Sequence, residues 1–132
     1  MRIEYSFVKE ISPEDVANVF RNSGIRRPYN DLNRIKKMID NADIIITAWD
    51  NKKLVGIARA LTDYSYCCYL SDLAVDKDYQ KAGIGKHLIE LLRNIIGEEV
   101  ALILISAPEA MDYYPKIGFE KCERAFIINR KR

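Results

Sequence analysis

Leu73-Ala74-Val75-Asp76-Lys77-Asp78-Tyr79-Gln80-Lys81-Ala82-Gly83-Ile84-Gly85-Lys86 joins a β-prone run to the helical pattern of Ile84, Leu88, Leu91, Leu92 and Ile95. A helix entered from a strand through a glycine-bearing turn is an anion site in outline. Its first N–H groups lack intrahelical partners and carry partial positive charge, and Gly83 and Gly85 lack the Cβ atoms that would hold a diphosphate away. Lys81 and Lys86 add charge at the rim. Spacing excludes two familiar phosphate loops. A P-loop needs a glycine where Gln80 stands, and Ser or Thr where His87 stands. A dinucleotide fingerprint needs a third glycine at the position of Leu88.

Upstream of this segment, Ile3 to Val8 reads as a strand. Ser12-Pro13-Glu14-Asp15 then supplies an N-cap, a proline at the first helical position and acids in the first turn. Val16, Val19 and Phe20 form that helix's apolar face, and Gly24 stops it. A second helix starts near Asn30 or Asp31, carries Leu32, Ile35, Met38 and Ile39, and ends near Asn41. Ile44 to Trp49 and Leu54 to Leu61 are strands joined by a turn at Asp50-Asn51-Lys52-Lys53, and Cys67 to Val75 is a third. Downstream, Gly97 caps the strong helix, and the apolar run Val100 to Ile105 predicts a strand buried on both faces. A short helix runs from Pro108 to before Gly118, and Phe119 to Glu123 with Ala125 to Asn129 supply closing strands.

At 132 residues the chain predicts one domain, residues 1–132, and its 48% hydrophobic and 30% charged content is that of a folding sequence. Basic and acidic residues, 21 and 19, are interspersed to a net charge of +2, which gives no footprint for nucleic acid. The basic tail Arg130-Lys131-Arg132 reads as a solvated terminus. No apolar run approaches the ~20 residues of a membrane span, and the first residues carry no secretory pattern, so the expected compartment is the cytoplasm. Cys67, Cys68 and Cys122 read as reduced packing residues. With His87 the only histidine, neither a metal site nor a Ser-His-Asp triad is expected.

Gln80-x-x-Gly83-x-Gly85 after Leu73-Ala74-Val75 resembles the acetyl-CoA signature of the GNAT superfamily of N-acyltransferases. Ala110-Met111-Asp112-Tyr113-Tyr114-Pro115-Lys116-Ile117-Gly118-Phe119 is similar to that family's A-x-x-[FY]-Y-x-K-x-G-F segment, and the element order is also the family's. The resemblance implies an α/β (α+β) fold. Its mixed, mostly antiparallel central sheet would have six to seven strands, about four flanking helices and a splay between strands 4 and 5. It further implies acetyl-CoA as cosubstrate and a primary amine of a small molecule or peptide as acceptor. Pantetheine would pair with the backbone of Leu73, Ala74 and Val75, with the Leu73 N–H toward the thioester oxygen. Gln80, Lys81, Ala82, Gly83, Ile84, Gly85 and Lys86 would take the pyrophosphate, with His87 either exposed or a phosphate contact.

Tyr114 matches the tyrosine that protonates the departing thiolate, a role suited to a phenol of pKa about 10. Asp72 stands where acids of the family bind the amine or relay its proton; the other reading is a salt-bridged carboxylate with no chemistry. Ala107 departs from the pattern, since many members carry Asn there as a cofactor contact. That leaves a non-catalytic acyl-CoA sensor or interaction module as the alternative function. The short C-terminal region suggests a homodimer. Acceptor contacts are expected from Gly24 to Met38 and Asp63 to Tyr66. There Arg26 and Arg27 would suit an acidic acceptor, whereas Asp63 with Asp72 would suit a polyamine, an aminoglycoside or lysine.

Overall fold

The computed structural model describes residues 2–7 and 10–132. The elements run β1 (Ile3–Ser6), α1 (Pro13–Ser23), α2 (Leu32–Asp40), β2 (Ile44–Asp50), β3 (Lys53–Thr62), β4 (Cys67–Val75), α3 (Ile84–Ile96), β5 (Ala101–Leu104) and α4 (Tyr113–Lys116). Short 3₁₀ turns at Lys77–Tyr79 and Pro108–Ala110 precede α3 and α4. Val8, the expected end of the first strand, lies outside the described residues. Among the described residues the sheet has five strands in the order β1-β2-β3-β4-β5, antiparallel except for the parallel pair β4 and β5 that flanks α3. The family likeness had implied six to seven strands. Phe119 to Asn129 forms none among the described residues: Phe119 packs half-buried against the core, and Glu120 to Asn129 runs exposed with no ladder partner.

The first two helices carry the capping chemistry that their sequences encode. Ser12 accepts from the Asp15 N–H at 3.0 Å, and Gly24 closes α1 at φ +84°. Asp31 caps α2 through the Arg34 N–H. One core forms where α3 lays Ile84, Leu88, Ile89 and Leu92 against Ile46, Val55, Ala58 and Leu70 of the sheet. On the opposite face, Val16, Phe20, Ile35 and Ile39 of α1 and α2 close on Ile45, Ile57 and Ala74. Burying each such side chain contributes about 1.5–3 kcal/mol.

β5 corrects a second expectation. It is not buried on both faces: Ala101 and Ile103 are exposed while Leu102 and Leu104 are half-buried, as suits an edge strand with one face on the core. Cys68 is buried as expected, but Cys67 and Cys122 are exposed, since Cys67 points to the opposite side of β4 and Cys122 lies on the exposed C-terminal segment.

Candidate active site

β4 pairs with β5 only from Cys67 to Leu70, opposite Ala101 to Leu104. Its second half, Ser71 to Val75, keeps β3 on one side and has no strand on the other among the described residues. The register with β3 explains the parting: Arg59 faces Asp72 and Ala60 faces Leu70, so Ser71 is a bulged residue. The bulge exchanges the two faces of the strand. Cys68 and Leu70 lie in the α3 core, whereas beyond Ser71 it is Leu73 and Val75 that pack there and Ala74 that turns to α1 and α2.

Backbone directions on the free edge follow from two bonds. The Asp76 N–H donates to the Val55 carbonyl, while the Val75 carbonyl accepts from Gln80 Nε2 at 2.9 Å. Alternation along the strand therefore turns the N–H and C=O of Leu73 to the open side. The expected pantetheine edge is thus left with the N–H and C=O of Leu73 and the N–H of Val75, whose carbonyl Gln80 occupies. The amide of Gln80 is spent on the strand rather than held out toward a phosphate.

The turn that follows reverses through positive φ at Lys81, +69°, and Gly83, +81°. Gly83 is the N-cap of α3 with no side chain closing it, and a Cβ there would meet no protein atom within 4 Å. The helix thus presents its first N–H groups to open space at the positive end of its dipole. The Gly85 backbone is the meeting point of the two motifs. A Cβ at Gly85 would lie 3.4 Å from the Tyr113 hydroxyl, 3.8 Å from Val75 Cγ2 and 3.9 Å from Leu73 Cδ2. Lys81, Ala82 and Lys86 are exposed around this point, while the Ile84 side chain is core and offers only its N–H. His87 is half-exposed, edge-on to Tyr5 at 4.5 Å, with Nδ1 3.6 Å from Glu90.

Tyr114 is half-buried between Tyr113 and Phe119, with ring centroids at 5.2 and 5.4 Å. Burial pushes its phenol above the ordinary value, neighbouring Tyr113 adds to this, and the Arg27 charge pulls the other way. Burial also raises Tyr113. Asp72 is 1% exposed, and its two carboxylate oxygens accept from Arg27 Nε and Arg59 Nε respectively. Arg27, from the loop between α1 and α2, was an expected acceptor contact on its charge alone; its grip on Asp72 across 45 residues carries no local sequence signal. Asp63 is engaged as well. Its carboxylate accepts the N–H groups of Ser65, Tyr66 and Cys67, which hold its pKa below the usual carboxylate value.

The acetyltransferase (GNAT) domain profile matches residues 8–130. The chain belongs to the GNAT acetyltransferase family. Members of this family take acetyl-CoA as acyl donor. Over 103 residues, 74% of this chain, it is 33% identical to an uncharacterized N-acetyltransferase, ycf52, of Pyropia yezoensis. Over 71 residues, 52% of this chain, it is 38% identical to the chloroplastic GCN5-related N-acetyltransferase 2 of Arabidopsis thaliana. The matches span 58% and 28% of those two proteins, so the chain represents only part of their length. A probable acetyltransferase of Staphylococcus aureus, SA2161, has the same fold, with a TM-score of 0.84 at 24% identity over 98% of this chain and 100% of that one.

Proposed function

We propose that the protein is an acetyl-CoA-dependent N-acetyltransferase that passes an acetyl group directly to a primary amine of a small molecule or peptide. The observation that carries the reading is the convergence at Gly85: the uncapped start of α3, the side chains of Leu73 and Val75 from the half of β4 with the free edge, and the Tyr113 hydroxyl of the two-tyrosine segment meet there. These residues fit the cosubstrate. The α3 N–H groups from Ile84 to Lys86 would hold the pyrophosphate, with Lys81 and Lys86 at the rim, and the Leu73 edge would pair with pantetheine.

When bound, acetyl-CoA supplies an activated acetyl group. The amine lone pair forms the new C–N bond as the C–S bond breaks. The Leu73 N–H, on the open edge of β4, would donate to the thioester oxygen as it gains charge. Tyr114 donates its phenolic proton to the departing sulfur, which leaves as the free thiol of CoA, and the amine's excess proton passes to solvent and restores the phenol. Because the oxygens of Asp72 are engaged by two guanidiniums, we assign that carboxylate to positioning rather than to proton abstraction. The working form is a cytoplasmic homodimer, supported by the exposed apolar groups at β5 and the C-terminal segment.

Gly85→Glu tests the cofactor site. The substitution places a side chain and a like charge against the diphosphate, and acetyl-CoA affinity by calorimetry should fall at least about tenfold, 1.4 kcal/mol. Unchanged affinity in a folded variant would remove the site as drawn. The second reading, a sensor without turnover, draws on Ala107, which is exposed and makes no side-chain hydrogen bond at the start of its 3₁₀ turn.

A further inference from the structure

We propose that the Arg27–Asp72–Arg59 cluster is a positioning device that pins the bulge at Ser71 and thereby fixes the backbone edge at Leu73. The proposal rests on the transferase reading above, and one arm of its test is independent of turnover.

A bulge interrupts a ladder and leaves polar groups in need of partners. At Ser71 arginine supplies one partner to the backbone carbonyl and another to the side-chain hydroxyl. Its carbonyl accepts from Arg27 Nη2 at 2.7 Å, and its hydroxyl accepts from Arg59 Nη2 at 2.9 Å. The same two guanidiniums then close on Asp72, each through Nε and each on a different oxygen. Asp72 is therefore the hub, and Ser71 is gripped from both sides of the chain. Arg59 comes from the paired strand and also reaches the Met38 carbonyl of α2 at 3.4 Å. Arg27 comes from the α1–α2 loop and also donates to the Arg26 carbonyl. The cluster thus joins that loop, α2, β3 and the one residue where β4 leaves β5.

Burial makes the bonds directional and strong. The side chains of Asp72 and Arg59 are 0% and 9% exposed, and only Arg27, at 29%, reaches solvent. Buried ion clusters contribute little net stability against apolar packing of equal volume, so what this one offers is geometry. The geometry it fixes includes the exchange of faces that puts Leu73 and Val75 on the α3 side, next to Gly85. The Arg27 charge also acts on the Tyr114 phenol, against the effect of its burial.

Hydrogen–deuterium exchange on the full chain, read by mass spectrometry over residues 69–76, tests the device beside steady-state kinetics. Arg27→Met should speed exchange in that peptide at least about tenfold while the core strand at residues 44–47 stays as protected as before. It should also lower kcat at least about tenfold, and Arg27→Lys, which keeps the charge without the planar fork, should recover only part. Arg27→Met and Asp72→Asn should be non-additive, the double variant being no slower than the slower single one. Native exchange over 69–76 in folded Arg27→Met would overturn the proposal, as would additive losses. So would a loss in Asp72→Asn that recovers with rising pH while Arg27→Met retains its kcat, which would make Asp72 a base. Should Arg27→Met fail to fold, Ser71→Ala removes only the hydroxyl held by Arg59 and should give the same exchange signature at about threefold. If the wild type acetylates no amine, exchange still decides the clamp, so failure of the clamp and failure of the transferase reading are told apart.

Discussion

At the scale of single residues, Tyr114 carries the sharpest expectation. Its ring is packed between Tyr113 and Phe119, so Tyr114→Phe keeps the packing and removes only the hydroxyl. If the phenol protonates the leaving sulfur, kcat should fall by about 10²- to 10⁴-fold while acetyl-CoA affinity stays within about threefold. A variant that retains kcat takes Tyr114 out of the mechanism. The pH profile adds a sign. Burial raises the folded-state pKa, so the donor is present throughout the neutral range and is lost only as pH climbs through that raised value, above the ordinary 10.0. A fall in kcat that begins near pH 8 in the wild type and persists in Tyr114→Phe belongs to another group. The two-tyrosine segment was legible in the sequence because it is local, and a salt-bridged Asp72 was one of the two readings that position allowed, but the arginines that engage it were not legible. The bulge that turns Asp72 toward Arg27 and Arg59 leaves no trace in the alternation of Cys67 to Val75, and Arg27 reaches it from 45 residues away.

Among the elements, those defined by caps and period were readable and those defined by their neighbours were not. Ser12 and Gly24 bound α1 in sequence and in space, and the spacing of Ile84, Leu88 and Leu92 is that of the face α3 buries. Apolar composition alone made Val100 to Ile105 look like an interior strand. Whether such a run is interior depends on a further strand beside it, and here the strand is an edge with Ile103 51% exposed. The same dependence governs Phe119 to Asn129: β-prone residues become a strand only where a ladder receives them. The glycine turn was readable as an anion site, but its contact with Tyr113 depends on how α4 folds back over α3.

For the whole molecule, the apolar groups left exposed set the expectation for assembly. Ile103 and Ile105 on and beside β5, with Phe126 at 97% exposure and Ile128 at 100%, present a sheet edge and a β-prone segment uncovered. Light scattering at micromolar concentration should give a dimer mass, and truncation after Glu123 should shift it to the monomer. A full-length monomer across that range would contradict the proposed assembly. The central claim, that this GNAT chain moves acetyl from acetyl-CoA to a primary amine, is tested most directly by one assay. Free-thiol release from acetyl-CoA is followed across a panel of primary amines, with the acylated product identified by mass. The account predicts thiol release with at least one amine, matched one for one by N-acetylated product and abolished by Gly85→Glu. Acetyl-CoA binding with no thiol release above the uncatalysed rate for every amine would contradict it and leave the chain a binding module.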